Sequence, residues 1–353
     1  MSRASTSTAT ASSPGRPARG PAAAALLLVL AAVAVGAAPA PARACLWDTD
    51  TLAEESLGDR DVAAVVTGDL GKHSLIFYRA KVVYTRALIA RGGAPAERYD
   101  DLAVALAKTG QLDDALAVLA DKEARFPGAY TTHANRGTVL ARKGDLAGAL
   151  VELRRAVAIN PRAHFGREHV QIQLLEWLGR LGRDPTLVER ETFLGQPIVA
   201  GSDALEVIRT RRVRGRTVAE RARAAELDTT IVALVGLLRF GDGEGNPHLW
   251  FALGWNLALR GDNQLAVNAF RQAERLGHPQ AAAQGGIRAS IIRAYNAGAP
   301  TLEPDGPGTV GAWAKATPSL DAAWAKGQAK LARRQAGEDR RVARGRPRAV
   351  FGY

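Results

Sequence analysis

The chain has 353 residues, 47% hydrophobic and 23% charged, enough to bury a substantial core in one large domain or two to three small ones. Its 47 basic and 35 acidic side chains give a formal charge of +12, and only eight of the basic residues are Lys. A single Cys excludes a disulfide framework and a four-thiolate zinc or iron–sulfur site within one chain, and six His argue against a histidine-rich metal protein.

Residues 1–44 contain no acidic side chain. Arg16 and Arg19 precede the apolar run Ala22 to Ala38, and Ala42-Arg43-Ala44 offers small residues at −3 and −1. Basic flank, apolar core and small-residue exit are the order of a secretory signal, so export to the periplasm or cell envelope is expected. The same 17-residue run is marginally long enough for an uncleaved anchor. Cleavage after Ala44 makes Cys45 the first mature residue. Its thiol is then either lipidated, as in a lipoprotein, or free; Arg43 fits a lipoprotein signal poorly.

Residues 45–95 form an N-terminal segment and a capping helix. Asp48-Thr49-Asp50 reads as helix capping by Asp50 or Thr51 rather than as a calcium loop, because it lacks the required Gly and spacing. Ser74 to Arg91 has the apolar surface of a helix that ends at Gly92-Gly93-Ala94-Pro95.

Residues 96–163 contain two copies of one unit. At an offset of 34, Leu106 meets Leu140, Gly110 meets Gly144, Ala115 meets Ala149, Leu119 meets Leu153 and Pro127 meets Pro161. Each copy reads as helix, Gly-containing turn, second helix and terminating Pro. Residues 164–246 supply connecting helices, over Phe165 to Leu181 and Val218 to Phe240, with a basic helical stretch from Asp203 to about Arg212. Residues 247–298 hold a third copy, with Trp250, Leu253, Gly254, Leu257, Gly261, Ala266, Phe270 and Ala273, and a capping helix over Ala281 to Tyr295. Residues 299–318, rich in Gly and Pro, read as a linker. Residues 319–353 read as a basic, solvated tail helix. From Ala325 onward the chain carries nine basic and two acidic residues, so the remainder of residues 45–353 is nearly neutral. Export and the confinement of charge to a tail argue against a nucleic-acid partner and for contact with an anionic surface.

The three copies resemble the tetratricopeptide repeat, in which small residues such as Gly137 and Gly254 let paired helices approach and large ones such as Leu153 and Phe270 fill the space between. The chain also resembles exported bacterial repeat proteins whose mature part begins near Cys45-Leu46-Trp47-Asp48-Thr49-Asp50-Thr51-Leu52. They also carry a segment like His164-Phe165-Gly166-Arg167-Glu168 after an Asn-Pro. The resemblance implies an all-α, helix-turn-helix repeat solenoid with flanking capping helices, and a groove lined by the first helix of each pair. Partner-binding positions in that groove are Asp100, Lys108, Thr138, Arg142, Phe251 and Trp255. The Lys and Asn clamp that some family members use for terminal carboxylates is not reproduced, because Asp100 and Val104 stand in its main places. For Phe251 and Trp255 the alternative is packing on the neighbouring helix.

Chemistry finds little support. His164 and His169 are five apart, about 140° around a helix, and diverge where a zinc helix needs them four apart. Asp242, Glu244 and Asn246 alternate as calcium ligands do, but Pro247 and Leu253 stand where Gly and the bidentate Glu belong. No nucleophile elbow or phosphate cradle occurs. The sequence therefore reads as a non-catalytic scaffold that binds a protein or peptide of the envelope and needs no cofactor. Membrane contact is expected only through the N-terminal anchor or lipid. The alternatives are an envelope-tethered structural protein, held by its N-terminus or basic tail, and an enzyme with an unrecognised site.

Overall fold

A computed structural model describes residues 46–51, 62–161, 166–198, 217–283, 308–345 and 350–351. The expected secretory signal, Cys45, His164, Phe165, the stretch from Asp203 to Arg212, and the expected linker and capping-helix positions between 284 and 307 lie outside these residues. The described residues are all-α. They contain no strand, only an isolated bridge between Glu191 and Pro197.

A short helix α1 (Val62–Val66) precedes α2 (Leu75–Ala90). Three pairs then carry the architecture: α3 (Ala96–Lys108) with α4 (Leu112–Arg125), α5 (Tyr130–Lys143) with α6 (Leu146–Ile159), and later α10 (Pro247–Arg260) with α11 (Asn263–Arg275). Between the second and third pairs lie α7 (Arg167–Leu181), a single turn α8 (Leu187–Arg190) and α9 (Val218–Arg239). The short α12 (Pro279–Ala283) and the long α13 (Gly308–Ala343) follow. Helices adjacent in sequence pack on each other from α2 through α7. Helix α9 then packs on both α7 and α10.

Local chemistry explains the boundaries. Ser74 caps α2, its hydroxyl accepting from the Phe77 amide. Thr217 and Glu220 form a reciprocal capping box at the start of α9, and Asn246 caps α10 ahead of Pro247. The turns inside the three pairs place Gly110, Gly144 and Gly261 at φ of 85°, 88° and 100°, a region where a Cβ is strained. The small-against-large contacts are direct. A Cβ on Gly137 would lie 2.7 Å from Leu153 Cγ, and one on Gly254 would lie 2.9 Å from the Phe270 ring.

The buried residues fall into two clusters. One joins Leu46 to α2 through α5, with Val82, Leu102 to Ala107, Leu119 and Val139. The other runs from α1 through α6, α7, α9, α10 and α11 to α13, and holds Trp177, Trp250, Phe251, Trp255 and Phe270.

Two expectations change at the C-terminal end. The linker to Pro318 is helical from Gly308, and Pro318 sits exposed inside α13. A proline within a helix costs one backbone bond. Burial of Leu320 and Leu331 just downstream offsets that cost. Nor is the tail helix simply solvated. It packs against α2 and α11, setting Trp324 edge-on to Trp250 and Gly327 against the Thr67 carbonyl. Arg271 holds Asp321 through two bonds of 3.0 and 2.8 Å, and Gln328 donates to the Gly68 carbonyl. Beyond α13, Phe351 packs on Phe77 and Tyr84 of α2.

Candidate functional site

The inner side of the first two pairs is occupied by the chain's own residues 46–51. Helix α5 presents Asn135, fully buried, to the backbone of Trp47. The carboxamide oxygen accepts from the Trp47 amide at 2.7 Å, and its nitrogen donates to the Trp47 carbonyl at 2.9 Å. One side chain thereby pairs both backbone groups of a residue, as a neighbouring strand would, without reading its side chain. Helix α3 adds Asp101, which accepts from the Thr49 amide at 3.0 Å. Helix α2 contributes Lys81, whose ammonium lies 2.9 Å from Asp48, 2.6 Å from Asp50 and 3.3 Å from Asp101. Asp48, not Asp50 or Thr51, makes the local capping bonds, accepting from both the amide and the hydroxyl of Thr51.

A second intramolecular occupant enters from the loop before α10. Asp242, at φ 56°, is the one non-glycine residue with positive φ among the described residues. Its carboxylate receives Lys72 and Lys108 at 2.8 Å each and Arg142 at 3.3 Å. Lys108 also donates to the Phe240 carbonyl. Glu244 lies 2.5 Å from Lys72. Two of the three residues that suggested a calcium loop, Asp242 and Glu244, thus face cationic side chains, while the Asn246 carboxamide oxygen accepts from the His248 amide. Between the two occupants remains a space of about 20 Å³, bordered by Asp50, Lys72, Tyr78 and Lys108, room for about one water.

Burial and pairing compete in these groups. Burial alone would raise the Asp48 carboxyl, but the Lys81 charge and hydrogen bond and the Thr51 donors hold it at about 2. Asp242 is likewise held well below the carboxylate range, because Lys108 and Lys72 outweigh its desolvation. For Asp50, burial wins over Lys81 and raises the carboxyl. Burial pulls the Lys108 ammonium below its usual value despite Asp242.

Of the six positions expected to meet a partner, Lys108 and Arg142 converge, but on Asp242 of the same chain. The other four are interior. Asp100, 5% exposed, is held by Lys122 at 2.6 Å and by Thr131 and Asn135, and burial raises its carboxyl. Thr138 is fully buried and accepts from Gln171 of α7. Phe251 stacks on His278 with ring centroids 4.1 Å apart and meets Phe270 edge-on. Trp255 is 2% exposed. The packing alternative for the two rings is the one observed, because α9 packs on α10 and His278, just before α12, covers Phe251. Trp255 still borders a cleft of about 280 Å³ with Gln196, Asn256, Arg223 and Glu226. Gln196 and Asn256 exchange carboxamide bonds of 3.0 and 3.3 Å there.

Lys81, Asp101 and Asn135 were not singled out by the sequence. Lys81 carried a signal: it stands four residues after Phe77 on the buried face of an apolar helix, where an uncompensated ammonium is untenable. Asn135 carried none, since its partner is a backbone 88 residues away.

In comparisons with known proteins, no family model matches the chain, and no curated protein matches it. Among the described residues, no helix is long and apolar enough to cross a membrane.

Proposed function

We propose that the protein is a non-catalytic, protein- or peptide-binding scaffold of the bacterial cell envelope, built on tetratricopeptide-like helix pairs. The observation that carries this reading is the grip on residues 46–51. Asn135 pairs a peptide backbone, and Lys81 gathers side-chain carboxylates. Inner helix faces of this chain therefore have the chemistry to hold an extended polypeptide, and here they hold their own. The 34-residue offset and the left-handed Gly at the turn of each pair support the repeat assignment. The basic, apolar and small-residue order of residues 1–44 supports export.

The first two pairs are filled from within, so the partner's chain anchors at the cleft beside Trp255. There the buried ring forms an apolar wall, the half-buried Gln196 carboxamide, held by buried Asn256, serves a backbone, and exposed Arg223 and Glu226 form a charged rim. The test is cross-linked capture from the envelope fraction by the full chain, quantified by mass spectrometry. Wild type is expected to recover one near-stoichiometric protein. Arg223→Ala/Glu226→Ala and Asn256→Ala are expected to lose it with helicity unchanged. Recovery unaffected by these substitutions, or recovery of lipid or wall material with no protein, overturns the reading.

A further inference from the structure

Helix α13 divides its charge between two faces. At 100° per residue, Lys326, Lys330, Arg333, Arg340, Arg341 and Arg344 fall within an arc of about 100°, along about 27 Å of helix. All six are exposed, and Lys330 is 67% exposed even while it lies 2.9 Å from Asp69. The other five make no ion pair among the described residues. The two acidic residues of the same stretch point the other way. Glu338 meets His73 Nδ1 at 2.5 Å and accepts from the Ser74 amide at 3.0 Å, while Asp339 accepts from the Ser74 hydroxyl. The apolar contacts through Leu320, Trp324 and Leu331 share that inner side. Docking on α2 and α11 therefore consumes the acidic and apolar groups and leaves a basic stripe facing out, in which Lys330 alone has a carboxylate partner among the described residues.

We propose that this stripe docks the protein on an anionic phospholipid surface. A straight, rigidly held row of cations matches a plane of phosphate headgroups, and each cation adds to the attraction. Between the basic residues the exposed side chains are small: Ala325, Ala329, Ala332, Ala336 and Ala343. With no large apolar group on this face, binding is adsorption at the headgroups, without insertion into the acyl region. The stripe is on α13 and the cleft beside Trp255 lies between α9 and α10, so the two proposals stand or fall separately.

The test is co-sedimentation of the full chain with phosphatidylglycerol–phosphatidylcholine vesicles and with pure phosphatidylcholine vesicles. The readout is the ratio of the two partition coefficients, in which any binding through the apolar run 22–38 is common to both. Wild type is expected to prefer the anionic vesicles strongly at low ionic strength and to lose the preference as salt shortens the screening length. Each cation near an anionic surface is worth about fivefold, so Arg333→Gln/Arg340→Gln/Arg341→Gln/Arg344→Gln is expected to cut the ratio more than about a hundredfold. The same four positions changed to Lys are expected to retain it, and far-ultraviolet circular dichroism checks that both variants stay folded. An equal ratio for wild type and the Gln variant overturns the proposal. So does a salt-insensitive preference, or binding to polyphosphate or nucleic acid with none to anionic vesicles.

Discussion

The first two helix pairs and the third share one frame and fill it with opposite materials. All three pairs have a left-handed Gly at the turn, and in the second and third a Gly of the first helix is pressed on a large residue of the second. Across α2 to α5, however, the interior holds Lys81, Asp101 and Asn135, which meet residues 46–51, beside the buried ion pair of Asp100 with Lys122. Around α10 the interior is Trp250, Phe251, Trp255, Phe270 and His278, satisfied by ring contacts. The repeat pattern thus specifies helix spacing and turn, while the inner face is free to be ionic or aromatic. An ionic inner face has to be supplied with complementary groups, and this chain supplies them from its own N-terminal segment and from Asp242.

The contrast is broken most severely at Lys81. Lys81→Met leaves Asp48, Asp50 and Asp101 together without their central cation, and stability is expected to fall by about 3–5 kcal/mol in urea denaturation. A loss below about 1 kcal/mol would mean that residues 46–51 leave the cleft at little cost.

Acid separates the two regions. Burial lowers His248 from 6.5 to about 4 and His278 to about 2, the latter with a further push from His248. A group whose folded pKa is depressed favours folding above its unfolded pKa and loses that contribution as pH falls toward the folded value. The third pair is therefore expected to lose about 3 kcal/mol through His248 between pH 6.5 and 4. Asp48 and Asp242 are also depressed, from an ordinary 3.8, so the first pairs lose their contribution only below about pH 4. Denaturant midpoints of wild type and of His248→Phe/His278→Phe should diverge between pH 6.5 and 4. Taking the difference removes the opposing effect of Asp50 and Asp100, which burial raises. Parallel curves would show that the imidazoles titrate normally.

The smallest effect tests what the regions share. A Cβ at Gly137 or Gly254 would press on Leu153 or Phe270, and overpacking of this kind costs about 1–3 kcal/mol, less the ~1 kcal/mol that Ala gains in a helix. Gly137→Ala and Gly254→Ala are each expected to lower stability by about 1 kcal/mol in thermal unfolding. A much larger loss in one of them would show that one core yields less than the other.

Much of the frame was legible because its signals are local. Glycines 34 residues apart mark turns, and the helices read over Ser74 to Arg91 and from Val218 onward begin at the observed caps Ser74 and Thr217. The groove was legible only in part. Lys108 and Arg142 were expected in the groove from the repeat resemblance and do share one carboxylate, yet that carboxylate belongs to Asp242, 134 and 100 residues away. Asp100, Thr138, Phe251 and Trp255 sit at inner-face positions, but other parts of the chain cover them, and helical periodicity does not say which neighbour covers a face. The tail was misjudged for the same reason. Charge density marks a solvated end unless its acidic residues find caps elsewhere, as Glu338 and Asp339 do at Ser74.

By itself the sequence determined an all-α chain, the positions of its turns, and the small-against-large pairs, because propensity and steric size are set by the residues themselves. Only the tertiary structure decided what lies against each inner face: residues 46–51 and Asp242 in the first two pairs, α9 and His278 over the third, and α13 folded back onto α2. Burying a charge demands a partner from wherever the chain can deliver one, and nothing in a local pattern names the residue that arrives.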